Sequence, residues 1–296
     1  MIPSAPLVRL AVRLLGVIPV APVRWVARGA GSLAYLLAEH RRATLLENQA
    51  ALVPNASPAE QRRRAKRTFR NLVEAAVDLW RLPSMPRDDF LALVEVEGRE
   101  HLDAAMAMGK GVVAVTPHLG PYELGGAWLA QAGYPVHAMV EVLDPELNAA
   151  LALYREATGM KLISRNSGVR ASLRLLRERQ IVLLVADRVV GDGTDGVVVP
   201  FGDGWRAVPT GPAALALATG APIVVGYITR NPARNTRYLV RLEPPIFPQD
   251  TGDAHHDRQA LTRRVAERLS LAVQSHSDEW FVFQPEWIRR DAAPRD

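Results

Sequence analysis

Residues 111 to 123 read Gly-Val-Val-Ala-Val-Thr-Pro-His-Leu-Gly-Pro-Tyr-Glu, and two of them carry useful chemistry: His118 and Glu123. A neutral histidine can take a proton from a hydroxyl as that oxygen attacks a carbonyl carbon. A carboxylate on the other ring nitrogen fixes the tautomer and stabilises the imidazolium. Such base assistance is worth about 10²–10⁴ in rate. A helix-capping histidine followed by a routine acidic residue in the first turn fits the same spacing.

The neighbouring residues predict how the pair is positioned. An apolar strand, Val112–Thr116, ends at Pro117, which holds the preceding residue extended. His118 then falls just past the C-terminal edge of the strand, where open α/β sheets place their sites. Gly120 permits a tight turn, Pro121 opens a helix, and Glu123 lies in the first turn of that helix, from which it can fold back toward the imidazole.

From about residue 91 strands and helices alternate. The predicted strands are Leu93–Glu97, Val112–Thr116, Val136–Glu141, Ile181–Ala186, Val197–Pro200, Ile223–Ile228 and Tyr238–Glu243. The predicted helices are Glu100–Met108, Pro121–Gln131, Pro145–Thr158, Val169–Arg179, Pro212–Thr219 and Asp257–Gln274. Several strands are continuous apolar runs, as expected when helices cover both faces of a sheet. Residues 1 to about 85 read as helical instead. The clearest helix there runs from Glu60 to Arg81, with Ser57 as cap and Pro58 at its first position.

Composition narrows the function classes. The 296 residues are 48% hydrophobic and 23% charged, which excludes disordered and fibrous classes. Mean hydropathy is −0.01, too polar for a polytopic membrane protein. There is no cysteine, so disulfide scaffolds, thiolate nucleophiles and Cys-based metal sites are excluded. The net charge is +5, and Lys66, Lys110 and Lys161 are the only lysines. An arginine-rich, mildly basic surface suits phosphate partners such as nucleic acid, an anionic membrane face or a coenzyme. The base-contact motifs and basic stripe of a nucleic-acid module are missing.

The N-terminus does not read as a signal peptide, and Arg9, Arg13, Arg24 and Arg28 break residues 7–38 into apolar runs well under the ~20 needed for a span. Two short interfacial helices, with Trp25 and Tyr35 at headgroup level, fit this stretch, as does a helical cap packed on the core. Residues 207–229 are uncharged, but Pro209, Gly211, Pro212, Gly220 and Pro222 make them helix, turn and buried strand. Gly191, Gly193 and Gly196 spell a dinucleotide fingerprint that leads into a strand, the wrong context, so a flexible loop is expected. His255-His256 beside Asp253 and Asp257 reads as a solvated helix start, and no metal site is expected.

The His118-x4-Glu123 pair at a strand end resembles the His-x4-Asp/Glu motif of the glycerolipid and lysophospholipid acyltransferase superfamily. Asn148-x6-Arg155-x3-Gly159 resembles the second block of its late lipid A and phosphatidylinositol mannoside branches. Val199-Pro200-Phe201-Gly202 with residues 209–213 resembles their third. Arg42-x5-Asn48 and Phe69-Arg70-Asn71 are similar as well, so the likeness runs from about residue 10 to 287. Asp187-Arg188 looks more like the mannoside branch. Glu123 in place of Asp, one Phe at 201 where two are common, and the purely apolar Val197–Val199 depart from it and bear on the acceptor.

The resemblance implies an α/β fold with a mixed central sheet covered by helices: a membrane-associating helical region over 1–85 and a catalytic core over 86–296. It implies transfer of a fatty acyl group from acyl-CoA or acyl carrier protein to a hydroxyl of a glycolipid, most simply a phosphatidylinositol mannoside, with no cofactor beyond that co-substrate. The alternatives it leaves are a lipid A-type or other lysophospholipid acyltransferase, or a thioester or ester hydrolase using the same pair. His118 would be the base, oriented by Glu123. Glu141 would bind acceptor hydroxyls, Arg155 and Arg165 would contact phosphate or pantetheine, and Asp187 and Arg188 would lie near the pocket. The protein would sit peripherally on the cytoplasmic face of the cell membrane, against an anionic surface. Met106, Met108, Trp128, Leu129 and Met139 are candidates to line an acyl groove. At ~0.8 kcal/mol per methylene, a sixteen-carbon chain gains on the order of 10 kcal/mol there before ordering costs.

Overall fold

The computed structural model describes residues 18–140, 158–164, 168–189, 196–231, 236–284 and 286–288. Among the described residues nine strands are formed: β1 (Val94–Glu97), β2 (Val112–Thr116), β3 (Val136–Val140), β4 (Lys161–Ser164), β5 (Ile181–Val185), β6 (Gly196–Phe201), β7 (Gly204–Pro209), β8 (Ile223–Arg230) and β9 (Tyr238–Leu242). Seven make one sheet, in the order β1-β9-β8-β2-β5-β3-β4, and β6 and β7 form a separate antiparallel hairpin. Within the large sheet every pairing is parallel except β8 with β9, so the sheet is mixed as expected.

β2, at the centre, shows why its residues are all apolar but for the last. Val113 and Val115 point into one core, and Val112 and Ala114 into another on the opposite face. The first core is closed by α7 (Gly168–Arg177), α8 (Gly211–Thr219) and α9 (Ala254–Ser275), and the second by α5 (Arg99–Ala107) and α6 (Tyr122–Gln131). A strand buried on both faces has no polar positions to alternate with.

Two strands escape the sequence pattern. β4 is a four-residue edge strand with three exposed side chains, too short and too polar to register. β7 follows β6 through a tight turn and includes Arg206 and a terminal Pro209, so residues 207–209 belong to a strand that precedes the predicted helix and buried strand. The predicted helix over 145–158 lies almost wholly outside the described residues.

The N-terminal part contains α1 (Val20–Leu37), α2 (Glu39–Leu52) and α3 (Pro58–Arg81), with a short α4 (Arg87–Ala92) leading into the sheet. Ser57 caps α3 by accepting from the Glu60 backbone N–H. α1 packs on α3 by small residues: Ala27 and Gly31 are buried, and a Cβ on Gly31 would stand 2.7 Å from the Arg70 Cα. On the same side Arg24 pairs with Asp78 at 3.0 Å and Arg28 with Glu74 at 2.7 Å. Trp25, Val26, Leu33, Leu36 and Leu37 of α1 are exposed. Among the described residues no helix is long and apolar enough to cross a membrane.

The helices are tied to the C-terminal segment that follows α9. Asn48 donates to the Val282 carbonyl at 2.8 Å, Gln49 to Ser277 at 2.9 Å and Asn71 to Asp278 at 2.8 Å. Two of these asparagines belong to the early sequence blocks singled out above.

Candidate active site

β2 and β5 run parallel and in register from Val112 opposite Ile181 to Thr116 opposite Val185. Two residues beyond each strand end stand His118 and Asp187, side by side on the C-terminal edge. Asp187 is fully buried, and its Oδ1 lies 2.6 Å from His118 Nδ1. Oδ2 accepts from the His118 backbone N–H at 2.9 Å and from the Trp280 indole N–H at 2.7 Å. Burial opposes its ionisation, but the attraction of the imidazole and the hydrogen bonds from His118 and Trp280 outweigh burial and hold its carboxyl down at about 2. An ionised Asp187 on Nδ1 keeps the proton on that nitrogen and leaves Nε2 as the basic one.

The group on Nδ1 is therefore Asp187, where the sequence reading expected Glu123. Each ring nitrogen has a single in-plane hydrogen-bond direction, and a residue on the neighbouring parallel strand reaches it directly. Glu123 lies half-buried in the first turn of α6, as predicted. The turn between them is close: Gly120 has φ 58°, and a Cβ there would sit 2.0 Å from the Ile228 carbonyl oxygen. The Tyr122 ring stands edge-on to the imidazole at 5.2 Å. Arg188 follows Asp187 on the same edge, half-buried. Glu141, Arg155 and Arg165 lie outside the described residues, as does most of the glycine-rich loop before β6.

The His118 loop is braced from the C-terminal segment. Phe281 N–H donates to the His118 carbonyl and Gly120 N–H to the Glu279 carbonyl, both at 2.8 Å, on either side of a bridge between Leu119 and Trp280. In the sequence Trp280 opens an aromatic stretch, 280–287, that carries no spacing pointing to Asp187.

Beside the loop a small apolar cavity runs beneath α6. Thr116 and Tyr122 line it next to His118, and Leu129, Leu102, Ile228 and Leu242 line it further along. Of the five groove candidates only Leu129 lines it. Trp128 is plain core, Met108 is exposed, and Met139 packs against the core on the other face of the sheet. Gly125 and Gly126 also line the cavity, on the inner face of α6. Among the described residues no cluster of acidic and histidine side chains could hold a metal ion.

The histidine, the buried acid and the apolar cavity lie in a chain with known relatives. The family model described as bacterial lipid A biosynthesis acyltransferase matches residues 3–289. The chain belongs to that family. It is 30% identical over 218 residues to a phosphatidylinositol mannoside acyltransferase of Mycobacterium tuberculosis (strain CDC 1551 / Oshkosh), a match covering 71% of this chain and 66% of that protein's length. A lipid A biosynthesis acyltransferase of Haemophilus influenzae is 22% identical over 183 residues, covering 62% of this chain and 56% of its own. The crystal structure of PlsC, a 1-acyl-sn-glycerophosphate acyltransferase from Thermotoga maritima, superposes with a TM-score of 0.37 at 15% identity, covering 79% of this chain and 97% of that one.

Proposed function

We propose that the protein transfers a fatty acyl group from a thioester, acyl-CoA or acyl carrier protein, to a hydroxyl of a glycolipid. The observation that carries this is the Asp187–His118 pair, with Tyr122 against the imidazole and lining the adjacent apolar cavity. The acceptor hydroxyl gives its proton to His118 Nε2 as its oxygen attacks the thioester carbonyl carbon. The tetrahedral intermediate collapses by breaking the C–S bond, and the departing thiolate takes the proton back from the imidazolium. No enzyme nucleophile is needed. The acyl chain occupies the cavity under α6, where burial of its methylenes drives binding.

Glu123 remains in this reading as the second carboxylate of the site, on the acceptor side of the histidine rather than at Nδ1. Glu141 is assigned to acceptor hydroxyls, and Arg155, Arg165 and Arg188 to the phosphates or pantetheine of the donor. The mannoside-acyltransferase relative at 30% identity favours a phosphatidylinositol mannoside as acceptor.

The helical region before residue 86 is assigned to a membrane surface. What supports this is the packing of α1, which turns Trp25 (79% exposed) and Leu37 (74% exposed) outward and buries only small residues, Ala27 and Gly31. That surface is assigned to the cytoplasmic face of the cell membrane, the side of the proposed thioester donor.

The test is incubation with radiolabelled palmitoyl-CoA and a mannosylated phosphoinositide extract, wild type beside His118→Ala. Label entering the glycolipid with wild type alone is expected. Label released only as free fatty acid would mean hydrolysis and overturn the transfer reading.

A further inference from the structure

The Asp187 carboxylate is held at three points, and two of them come from His118 itself: its backbone N–H on Oδ2 and its Nδ1 on Oδ1. A carboxylate fixed only by the residue it orients would move with that residue. Among the described residues the one hydrogen bond to Asp187 from elsewhere is that of Trp280. We infer that Trp280 is a positioning residue for the acyl transfer: its indole N–H fixes Asp187 so that Oδ1 keeps the proton on His118 Nδ1 and Nε2 stays basic. This inference rests on the reaction proposed above.

The surroundings of Trp280 are built to hold its ring still. The side chain is 1% exposed, and its backbone is bridged to Leu119 in the catalytic loop. One face stacks on Phe201, with centroids 5.8 Å apart and planes 25° from parallel. The Arg206 guanidinium stands 5.0 Å from the Trp280 ring and 5.0 Å from the Trp287 ring. Arg206 is itself fully buried; its Nη2 donates to Glu286 at 2.7 Å, while Nε and Nη1 find no hydrogen-bond partner among the described residues. A leucine or methionine would fill that space without a buried charge. The cation ties two indoles together by attraction to their π faces, and the second indole is anchored in turn, Trp287 donating to Asn48 of α2 at 2.8 Å. The chain of contacts thus runs from α2 through Trp287, Arg206 and Trp280 to the acid on the catalytic histidine.

Trp280→Phe keeps a ring between Phe201 and Arg206 and removes the donor. The expected result is a loss of about ten- to a hundredfold in kcat for palmitoyl-CoA, with its KM within about twofold of wild type. In the ring-¹⁵N spectrum of His118 at alkaline pH, the single Nδ1–H tautomer of wild type should give way to a mixture. If wild type transfers and His118→Ala does not, yet Trp280→Phe matches wild type in kcat and tautomer, the inference is overturned. It is overturned equally if kcat falls with the tautomer unchanged, since that marks a merely structural role. No transfer by wild type, or full transfer by His118→Ala, sinks instead the reaction on which it rests. Should Trp280→Phe not fold, the wild type answers alone: the Trp280 indole N–H resonance should shift together with the His118 ring signals as pH is varied. An indole signal indifferent to that titration overturns the inference.

Discussion

The sheet and the first helix sort their residues in opposite senses. In the sheet, valines and isoleucines of β2, β5 and β8 fill cores on both faces, and polar chemistry is confined to the strand ends. In α1 the buried residues are Ala27 and Gly31, with Arg24 ion-paired beside them, while the exposed side carries tryptophan, valine and leucines. Water alone as solvent explains the first arrangement. The second fits a helix whose outer solvent is itself apolar, which is the reason a membrane surface is proposed for it.

The comparison can be broken first at the site. His118→Ala should lower transfer by about 10²–10⁴ in detergent and on vesicles alike, and Asp187→Asn by a comparable factor, measured as kcat with palmitoyl-CoA. A loss seen only on vesicles would mean that the two regions do not divide the work in this way. Glu123→Gln, which leaves Asp187 on Nδ1, should lose less than Asp187→Asn. An equal or larger loss would return the orienting role to Glu123.

The opposite experiment places charge on the exposed side of α1. Replacing Trp25, Leu33 and Leu37 together by Glu should weaken sedimentation with anionic vesicles by more than about tenfold, at unchanged Tm and unchanged turnover of a detergent-dispersed acceptor. A drop in Tm instead would show that this face is packed rather than lipid-facing. Gly31→Leu attacks the helix from its buried side; with the Arg70 backbone so close, it should cost about 1–3 kcal/mol in thermal or denaturant unfolding.

Smaller effects refine the sheet side. Gly125→Leu puts a side chain into the cavity under α6 and should shift donor preference toward shorter acyl-CoA while sparing the shortest. Unaltered chain-length preference would move the acyl group out of that cavity. Finally, the Asp187 carboxyl, held at about 2 in the fold, binds its proton less readily there than in the unfolded chain, near 3.9. It therefore stabilises the fold fully above about pH 4, and that contribution is lost as pH falls toward 2. Asp187→Asn should flatten acid unfolding over that window.

Much of this architecture was legible in the residues. The apolar runs located seven strands to within a residue or two at most ends, and Ser57-Pro58 and Gly220 marked a helix start and stop, Gly220 with φ 70°. Runs and caps are local signals, with causes within a few residues. β4 was not legible because edge exposure removes the apolar signal. The role of Trp280 was not, because an aromatic residue in a tail carries no spacing that names its partner.

The sequence by itself determined that His118 stands just past the end of a buried strand with a helix opening behind it, because Pro117, Gly120 and Pro121 dictate that geometry within a few residues. It also determined that Asp187 ends a second such strand. Only the tertiary structure decided that these strands are neighbours, that Asp187 rather than Glu123 takes Nδ1, and that an indole 93 residues further on holds the acid. Strand order in a parallel sheet is set by the packing of the crossover helices and of the whole core. No short stretch of chain contains that information.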